Sequence, residues 1–267
     1  MELEPFRKND LYNIEALQPE GWPNIVNAFK FYLDSTFCLP IKASSNEKIT
    51  GTGVIIFFKD TCWLAHIIVD PVFRKKGIGS QIVNHLLTIA DKKSYRKKLL
   101  IATESGRSVY QKAGFREVTE YSFFHRQNPG SFNYDKKGVT PFNEKFRQSL
   151  LEKDQQVTGE DRSALLKPFL PYSLLLIKKG KLQGYYIPGL EEGPIIATNT
   201  DAGKNLMSIK YESEEKAVMP SSNEEGIEFL ESNGFLRSST KGTRMIKGPS
   251  VKWTPENIYS RIGGNFG

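Results

Sequence analysis

The stretch that most constrains the fold is VDPVFRKKGIGSQIVNHLL, residues 69–87. An apolar run, Thr61 to Val69, leads into it and has the length of one strand. Pro71 cannot donate to a sheet ladder, so the chain turns there. Gly77 and Gly79 let the backbone approach a neighbour with no Cβ between them. Ile82, Val83, Leu86, Leu87 and Ala90 then share one helical face, which predicts a helix from about Gly79 to Asp91. The start of such a helix presents unpaired N–H groups, and with the helix dipole these favour an anion such as a pyrophosphate. Arg74, Lys75 and Lys76 add positive charge that a polyphosphate would take up. The same residues also suit a plain strand-to-helix turn with surface cations. The turn is not a Walker A loop, because no Lys-Ser/Thr follows the second glycine, and it lacks the third glycine of a dinucleotide fingerprint.

Around this turn the apolar periodicity predicts helices over 11–20 and 24–34, separated by Gly21-Trp22-Pro23. Apolar runs at 52–58 and 61–69 predict an antiparallel pair, and Cys62 and His66 lie within the second. A strand over 98–103, a short helix over 106–113 and a strand over 115–124 follow. Residues 127–138 turn polar and rich in Asn, Pro, Gly and Ser, which marks a linker. The second half repeats the plan. Helices are predicted over 141–151, 162–169, 202–209 and 224–232, and strands over 173–178, 181–187, 193–197, 216–219 and 235–246. Gly234-Phe235 repeats Gly114-Phe115 120 positions later, each pair closing a short helix and opening a strand. Two related domains follow: 1–128 and 141–267, with 129–140 as the linker. The C-terminal run from Ile258 to Gly267 is glycine-rich, so a flexible tail is expected, with docking left open by its apolar residues.

The bulk numbers limit the alternatives. The chain has 267 residues, 39% hydrophobic and 25% charged, as soluble globular proteins do. Two cysteines make no disulfide framework and have no metal-ligand spacing around them, so no metal is expected. No apolar run reaches membrane-spanning length, and the mixed-charge N-terminus is unlike a signal peptide, so a cytoplasmic protein without a membrane partner is expected. A net charge of +7 suits a polyanionic cofactor or nucleic acid. No nucleic-acid recognition motif accompanies it, so nucleic acid is set aside.

Ile68-Val69-Asp-Pro71 followed by Arg74-x-x-Gly77-x-Gly79 resembles the acyl-CoA signature of the GNAT superfamily of N-acyltransferases. Tyr110, four residues before Gly114-Phe115, resembles the family's second element, and one helix and one strand separate the two as in the family. The resemblance implies an α/β (α+β) fold of two tandem GNAT-like domains, each a mixed, mostly antiparallel twisted sheet flanked by helices. It implies acetyl-CoA as cosubstrate and acetyl transfer to a primary amine, or else a non-catalytic acyl-CoA sensor. Ile68 and Val69 would hydrogen-bond the pantetheine arm, and Arg74, Lys75, Lys76, Gly77, Ile78, Gly79 and Ser80 would hold the pyrophosphate. Tyr110 would protonate the departing thiolate, while Thr103 stands where other members carry asparagine.

The base is left open. Family members often carry a glutamate near the position of Trp63; this chain does not. Glu104 and a water relay are the candidates, and His66 is read as a packed or hydrogen-bonded histidine. Strand alternation puts Trp63, Ala65, Ile67 and Val69 on one face and His66 on the other. The acceptor is expected to be a small-molecule amine, met by Trp22, Tyr32, Phe37 and Trp63, unless these aromatics are simply core. In the second half Leu230 stands where Tyr110 stands in the first, and no Arg-x-x-Gly-x-Gly follows 193–197. That half is expected to be catalytically silent, helping to close the acceptor site through Asp161 and Arg162, unless these two only pair and cap a helix. A monomer or homodimer is expected.

Overall fold

The computed structural model describes residues 1–46, 48–128, 132 and 137–267. Of the expected linker, 129–131 and 133–136 lie outside the described residues. By mutual contacts the chain divides into two compact units. The first is Met1–Arg116 with Met245–Pro249 and Phe266; the second is Glu117–Arg244 with Ser250–Asn265 and Gly267.

Unit 1 runs β1 (Glu2–Pro5), α1 (Ile25–Asp34), β2 (Cys38–Ser45), β3 (Lys48–Phe57), β4 (Thr61–Val69), α2 (Ile78–Lys92), β5 (Lys97–Ala102) and α3 (Glu104–Lys112). The sheet order is β1-β2-β3-β4-β5, and the chain segment ending at Lys247 borders β5. β1–β2, β2–β3 and β3–β4 pair antiparallel, and β4 and β5 pair parallel. α2 buries Ile78, Ile82, Val83, Leu86, Leu87 and Ala90. Each large side chain of that stripe contributes about 1.5–3 kcal/mol through burial. The helix lies close on β3 because Gly51 and Gly53 have no side chain. A Cβ on Gly53 would stand 2.5 Å from Ile82 Cγ2.

The helix expected over 11–20 is instead two 3-10 turns, Lys8–Tyr12 and Glu15–Leu17. Asp10 Oδ2 accepts from the Arg7 amide at 2.7 Å, and such local side-chain bonds compete with a helix ladder. β1 and β2 carry no strand signal in the sequence, because Pro5 and Pro40 interrupt them. Pro40 still serves the ladder by accepting, at 3.0 Å, from the Phe6 amide.

Unit 2 contains β6 (Arg116–His125), β7 (Val139–Pro141), α4 (Arg147–Thr158), α5 (Ser163–Leu166), β8 (Leu174–Lys178), β9 (Lys181–Tyr186), β10 (Ile195–Ala197), α6 (Thr200–Lys210), β11 (Lys216–Pro220), α7 (Glu224–Ser232), β12 (Leu236–Lys247) and β13 (Ile258–Ser260). One sheet has the order β13-β10-β9-β8-β7; β12, β6 and β11 neighbour one another in that order. Both units are mixed α/β with mostly antiparallel pairing, as expected. The helix expected over 141–151 starts later, because Val139–Pro141 pairs with β8 and Asn143 opens a 3-10 turn. The flexible tail is overturned. Its residues form β13 and are buried apart from Gly264, with Ile195 opposite Ser260.

Candidate active site

β4 departs from simple alternation. Thr52 faces Ile68 and Val54 faces Ala65, so Gly53 alone opposes His66 and Ile67. This is a β-bulge, and His66 takes φ +46° within it. The bulge changes which residues share a face. Cys62, Leu64, Ile67 and Val69 pack with the α2 stripe. Trp63, Ala65 and Ile68 therefore point the other way, which corrects the expected grouping of Trp63 and Ala65 with Val69. His66 does lie opposite Val69. Its ring sits edge-on to Phe29 and Tyr32 of α1, at 5.9 and 5.4 Å between centroids.

The pairing of β4 with β5 covers Thr61↔Lys97, Cys62↔Lys98 and Trp63↔Leu99 and then ends. Leu64 to Val69 continue as strand beyond it, so the two parallel strands part above Trp63. At the far end of β4 the expected turn forms. Asp70 is buried and accepts from the Val72 amide at 2.9 Å, and its carboxylate pairs with Lys48 at 2.9 Å. That lysine, the backbone donor and, more weakly, Arg74 hold its carboxyl below the usual range. Lys75 (φ +61°) and Gly77 (φ +81°) are both left-handed. Gly77 caps α2 and accepts from the Gln81 amide at 3.1 Å, and the first N–H groups of a helix have no partner within it. Ile78, Gly79 and Ser80 supply those amides. Arg74, Lys75, Lys76, Gly77 and Ser80 are exposed, and Ile78 is buried beneath them. Arg74 Nε donates to the Val69 carbonyl at 3.2 Å. Lys48 and Lys76 lie over the Phe73 ring at 5.3 and 5.0 Å. The turn is thus cationic at its rim.

Tyr110 lies on α3, half-buried against the α2 face, with its ring 6.2 Å from that of Phe115. Burial pushes its hydroxyl up to about 12. It therefore holds its proton at neutral pH. Thr103 is the exposed N-cap of α3 and its Oγ1 lies 3.2 Å from Ser105 Oγ; Glu104 is exposed in the first turn.

On the opposite face of the sheet lies an aromatic group. Asn24 caps α1 by accepting from the Val26 and Asn27 amides. The Gln18 amide fastens the preceding loop, donating to the Pro19, Trp22 and Pro23 carbonyls at 3.1 to 3.2 Å. This places Trp22, 40% exposed, edge-on to His66 at 5.8 Å. Tyr32 and Trp63 are fully buried. Phe37 is half-buried, its ring 6.3 Å from Phe31. Phe266 also belongs to this unit and sits 5.9 Å from Phe31.

In unit 2, Asp161 and Arg162 each have a local structural partner. Asp161 accepts from the Ser163 amide at 3.1 Å, while the buried Arg162 pairs with Asp154 at 2.6 Å. Strand–helix order aligns β10, α6 and β11 of this unit with β4, α2 and β5 of the other. Here, however, β13 pairs with β10, where the first unit's strands part. The Tyr259 ring lies where a Cβ on Gly203 of α6 would be, 2.2 Å away. Lys210 Nζ, buried, donates to Ser260 Oγ at 2.6 Å and to the Gly193 carbonyl at 3.0 Å. The slot open in unit 1 is occupied in unit 2 by the chain itself.

A model described as the acetyltransferase (GNAT) family matches residues 8–115, and one described as an acetyltransferase (GNAT) domain matches residues 150–260. The chain belongs to the GNAT acetyltransferase family. It is similar to an uncharacterized N-acetyltransferase, YitH, of Bacillus subtilis (strain 168), at 28% identity over 201 residues and 70% of each chain. A solved protein of Pyrococcus horikoshii has the same fold, with a TM-score of 0.85, 17% identity and coverage of 100% of this chain and 95% of that one. A GCN5-related N-acetyltransferase of Sphaerobacter thermophilus follows with a TM-score of 0.63, 12% identity and coverage of 95% and 98%. The family resemblance of the sequence is thus correct, with one acetyltransferase domain in each half. GNAT acetyltransferases use acetyl-CoA, which a cationic turn beside parting strands suits. No helix of this chain is long and apolar enough to cross a membrane among the described residues.

Proposed function

We propose that unit 1 binds acetyl-CoA and transfers its acetyl group to a primary amine by direct attack on the thioester. The observation that carries this is the parting of β4 and β5 above Trp63, with the turn at 74–80 at one end and Tyr110 beside it. The backbone of Ile68 and Val69 would bind the pantetheine arm. The amides of Gly77 to Ser80 would take the pyrophosphate, with Arg74, Lys75 and Lys76 neutralising it. In the reaction the amine nitrogen forms a bond to the carbonyl carbon, the carbon–sulfur bond breaks, Tyr110 gives its proton to the sulfur, and the proton lost by the amine passes to a base or water and returns through solvent to the phenolate. A hydroxyl that stays protonated at neutral pH suits that role.

We assign catalysis to the domain of residues 1–128 and treat residues 141–267 as silent. β13 along β10 supports this division. The absence of an acidic residue at Trp63 favours a second reading, a sensor that binds acyl-CoA without turnover.

The experiment is thermal unfolding with acetyl-CoA, CoA or ATP, followed by an amine screen scored by free thiol. A ligand that binds only the folded state raises the midpoint by mass action, by about 2.7 kcal/mol at 100 Kd. A shift with acetyl-CoA and CoA but not with ATP, with Gly77→Glu abolishing it, is the expected result. No shift at millimolar acetyl-CoA refutes both readings. A shift without turnover of any amine leaves the sensor.

A further inference from the structure

We propose that His66 is the proton acceptor of the acyl transfer, held in place by Tyr32, and that it serves an aromatic or apolar primary amine arriving past Trp22. The inference rests on the acetyltransferase reading and names a residue that the family pattern leaves unassigned in this chain.

Three independent features converge on this imidazole. His66 occupies the bulge of β4 with a left-handed backbone, φ +46°, a region uncommon for non-glycine residues in which histidine is enriched. Thr52 Oγ1 secures the bulge by donating to the His66 carbonyl at 3.1 Å. The bulge turns the ring to the α1 face at the level where β4 has already parted from β5. Tyr110, packed against the α2 face, stands on the other side of the sheet. A donor for the sulfur and an acceptor for the amine are thus set on opposite faces of one opening. That disposition suits direct attack, in which the amine approaches one face of the thioester carbonyl and the sulfur departs from the carbonyl carbon in another direction, so that donor and acceptor serve different atoms.

The ring's orientation is fixed. Tyr32 Oη lies 2.8 Å from Nδ1, and Tyr32 is itself fully buried. In the proposed tautomer Nδ1–H donates to the Tyr32 oxygen, so Nε2 carries the lone pair. Trp22, Phe29 and Tyr32 meet the ring edge-on, and Trp22 alone of these is substantially exposed. Burial lowers the His66 pKa to about 4, so the imidazole is neutral at pH 7. Aromatic walls favour an aromatic or apolar amine over a polycation.

The step balances. The neutral amine's nitrogen attacks the carbonyl carbon, its N–H proton passes to His66 Nε2, and the C–S bond breaks as Tyr110 protonates the sulfur. The imidazolium then returns its proton to the Tyr110 phenolate through solvent, leaving amide and thiol.

The test uses the full chain, with benzylamine as the probe. The protein has three histidines, so the His66 imidazole signals are assigned in 1H–15N spectra by their loss in His66→Gln. With CoA bound, the Nδ1–H tautomer is expected at His66, shifting on addition of benzylamine. An Nε2–H tautomer overturns the proposal outright. In turnover, His66→Gln is expected to lower kcat at least about 100-fold, the usual scale for a positioned base, with the acetyl-CoA midpoint shift retained. Imidazole is expected to restore part of the activity of His66→Ala, and Tyr32→Phe to lower kcat without raising KM for acetyl-CoA. Undiminished kcat in His66→Gln, or loss of the acetyl-CoA shift in that variant, overturns the role. Absence of the shift in the wild type instead sinks the acetyltransferase reading itself.

Discussion

Asp154 and Arg162 form a deeply buried ion pair of unit 2, with 1% and 4% of their side chains exposed. Arg162 Nε and Nη2 donate to the two carboxylate oxygens at 3.1 and 2.6 Å, and the Tyr185 hydroxyl donates to Oδ1 at 2.5 Å. Removing one partner leaves the other charge in the interior with its solvation unreplaced, at a cost of about 3–5 kcal/mol. Arg162→Met and Asp154→Leu should each destabilise by that amount. For a domain of this size the midpoint falls by roughly 2–4 °C per kcal/mol, so a drop on the order of 10 °C is expected. The double variant Asp154→Leu/Arg162→Met removes both charges and should recover most of the loss, leaving mainly the orphaned Tyr185 hydroxyl, about 1–3 kcal/mol. Urea unfolding followed by circular dichroism measures all four species. Single variants within about 0.5 kcal/mol of the wild type would refute the argument. If Arg162→Met were also to abolish turnover at full stability, its guanidinium would belong to the acceptor site and not to the interior.

Gly53→Ala should cost about 1–3 kcal/mol in urea unfolding, because its Cβ would meet Ile82 Cγ2 at 2.5 Å and push α2 off the sheet; an unchanged midpoint would refute the close-packing argument. Tyr110→Phe should lower kcat about 100-fold while acetyl-CoA binding persists, and Tyr110 titration should take no activity from the wild type below about pH 12. His66, whose folded pKa of about 4 lies below its ordinary value of 6.5, binds fewer protons folded than unfolded. Stability should therefore fall as pH drops from 6.5 toward 4, by up to roughly 3 kcal/mol, and His66→Gln should remove that component from the pH dependence of urea midpoints.

The sequence carried the parts of this fold that repeat. β4 and α7 begin and end as periodicity predicts, and the five apolar positions assigned to the α2 face are all buried. Paired glycines and a phased apolar stripe are local signals, and a single sequence shows them. What escaped depends on partners distant along the chain. β1 and β2 are strands because each finds the other; their own residues, broken by Pro5 and Pro40, promise little. The bulge at His66 escaped for a related reason. Alternation assumes one residue per rung, and only the pairing of Gly53 with two residues of β4 reveals the extra one. That one residue moved Ala65 and Trp63 to the other face, a one-step register slip. Arg162 stands out in the sequence, but its partner is Asp154 eight residues earlier, a distance that the turn at Gly159 closes.

The two units treat the same physical problem differently. Parallel strands that part leave backbone groups without ladder partners, and buried N–H and C=O groups require some partner. In unit 2 the chain meets that requirement with β13, clamped by Lys210 on Ser260, by Arg261 on Glu192 at 2.6 Å and by Asn223 Nδ2 on the Ile258 carbonyl at 2.9 Å. This strand comes from the last ten residues, and its Tyr259 fills the surface of α6 that Gly203 leaves low. Near the start of α2 in unit 1, Gly79 has a Cβ position 3.7 Å from Val69 Cγ2 and no ring within 4 Å of it. Its β4 runs on from Leu64 to Val69 past the rungs it shares with β5, and on the function proposed above this edge receives the cosubstrate. A pantetheine arm, with its two amides, has the chemistry of a strand. On that proposal, one domain has its slot completed by the polypeptide and the other has its slot completed by a ligand. Filling that slot should stabilise the first unit through backbone hydrogen bonds as well as phosphate contacts.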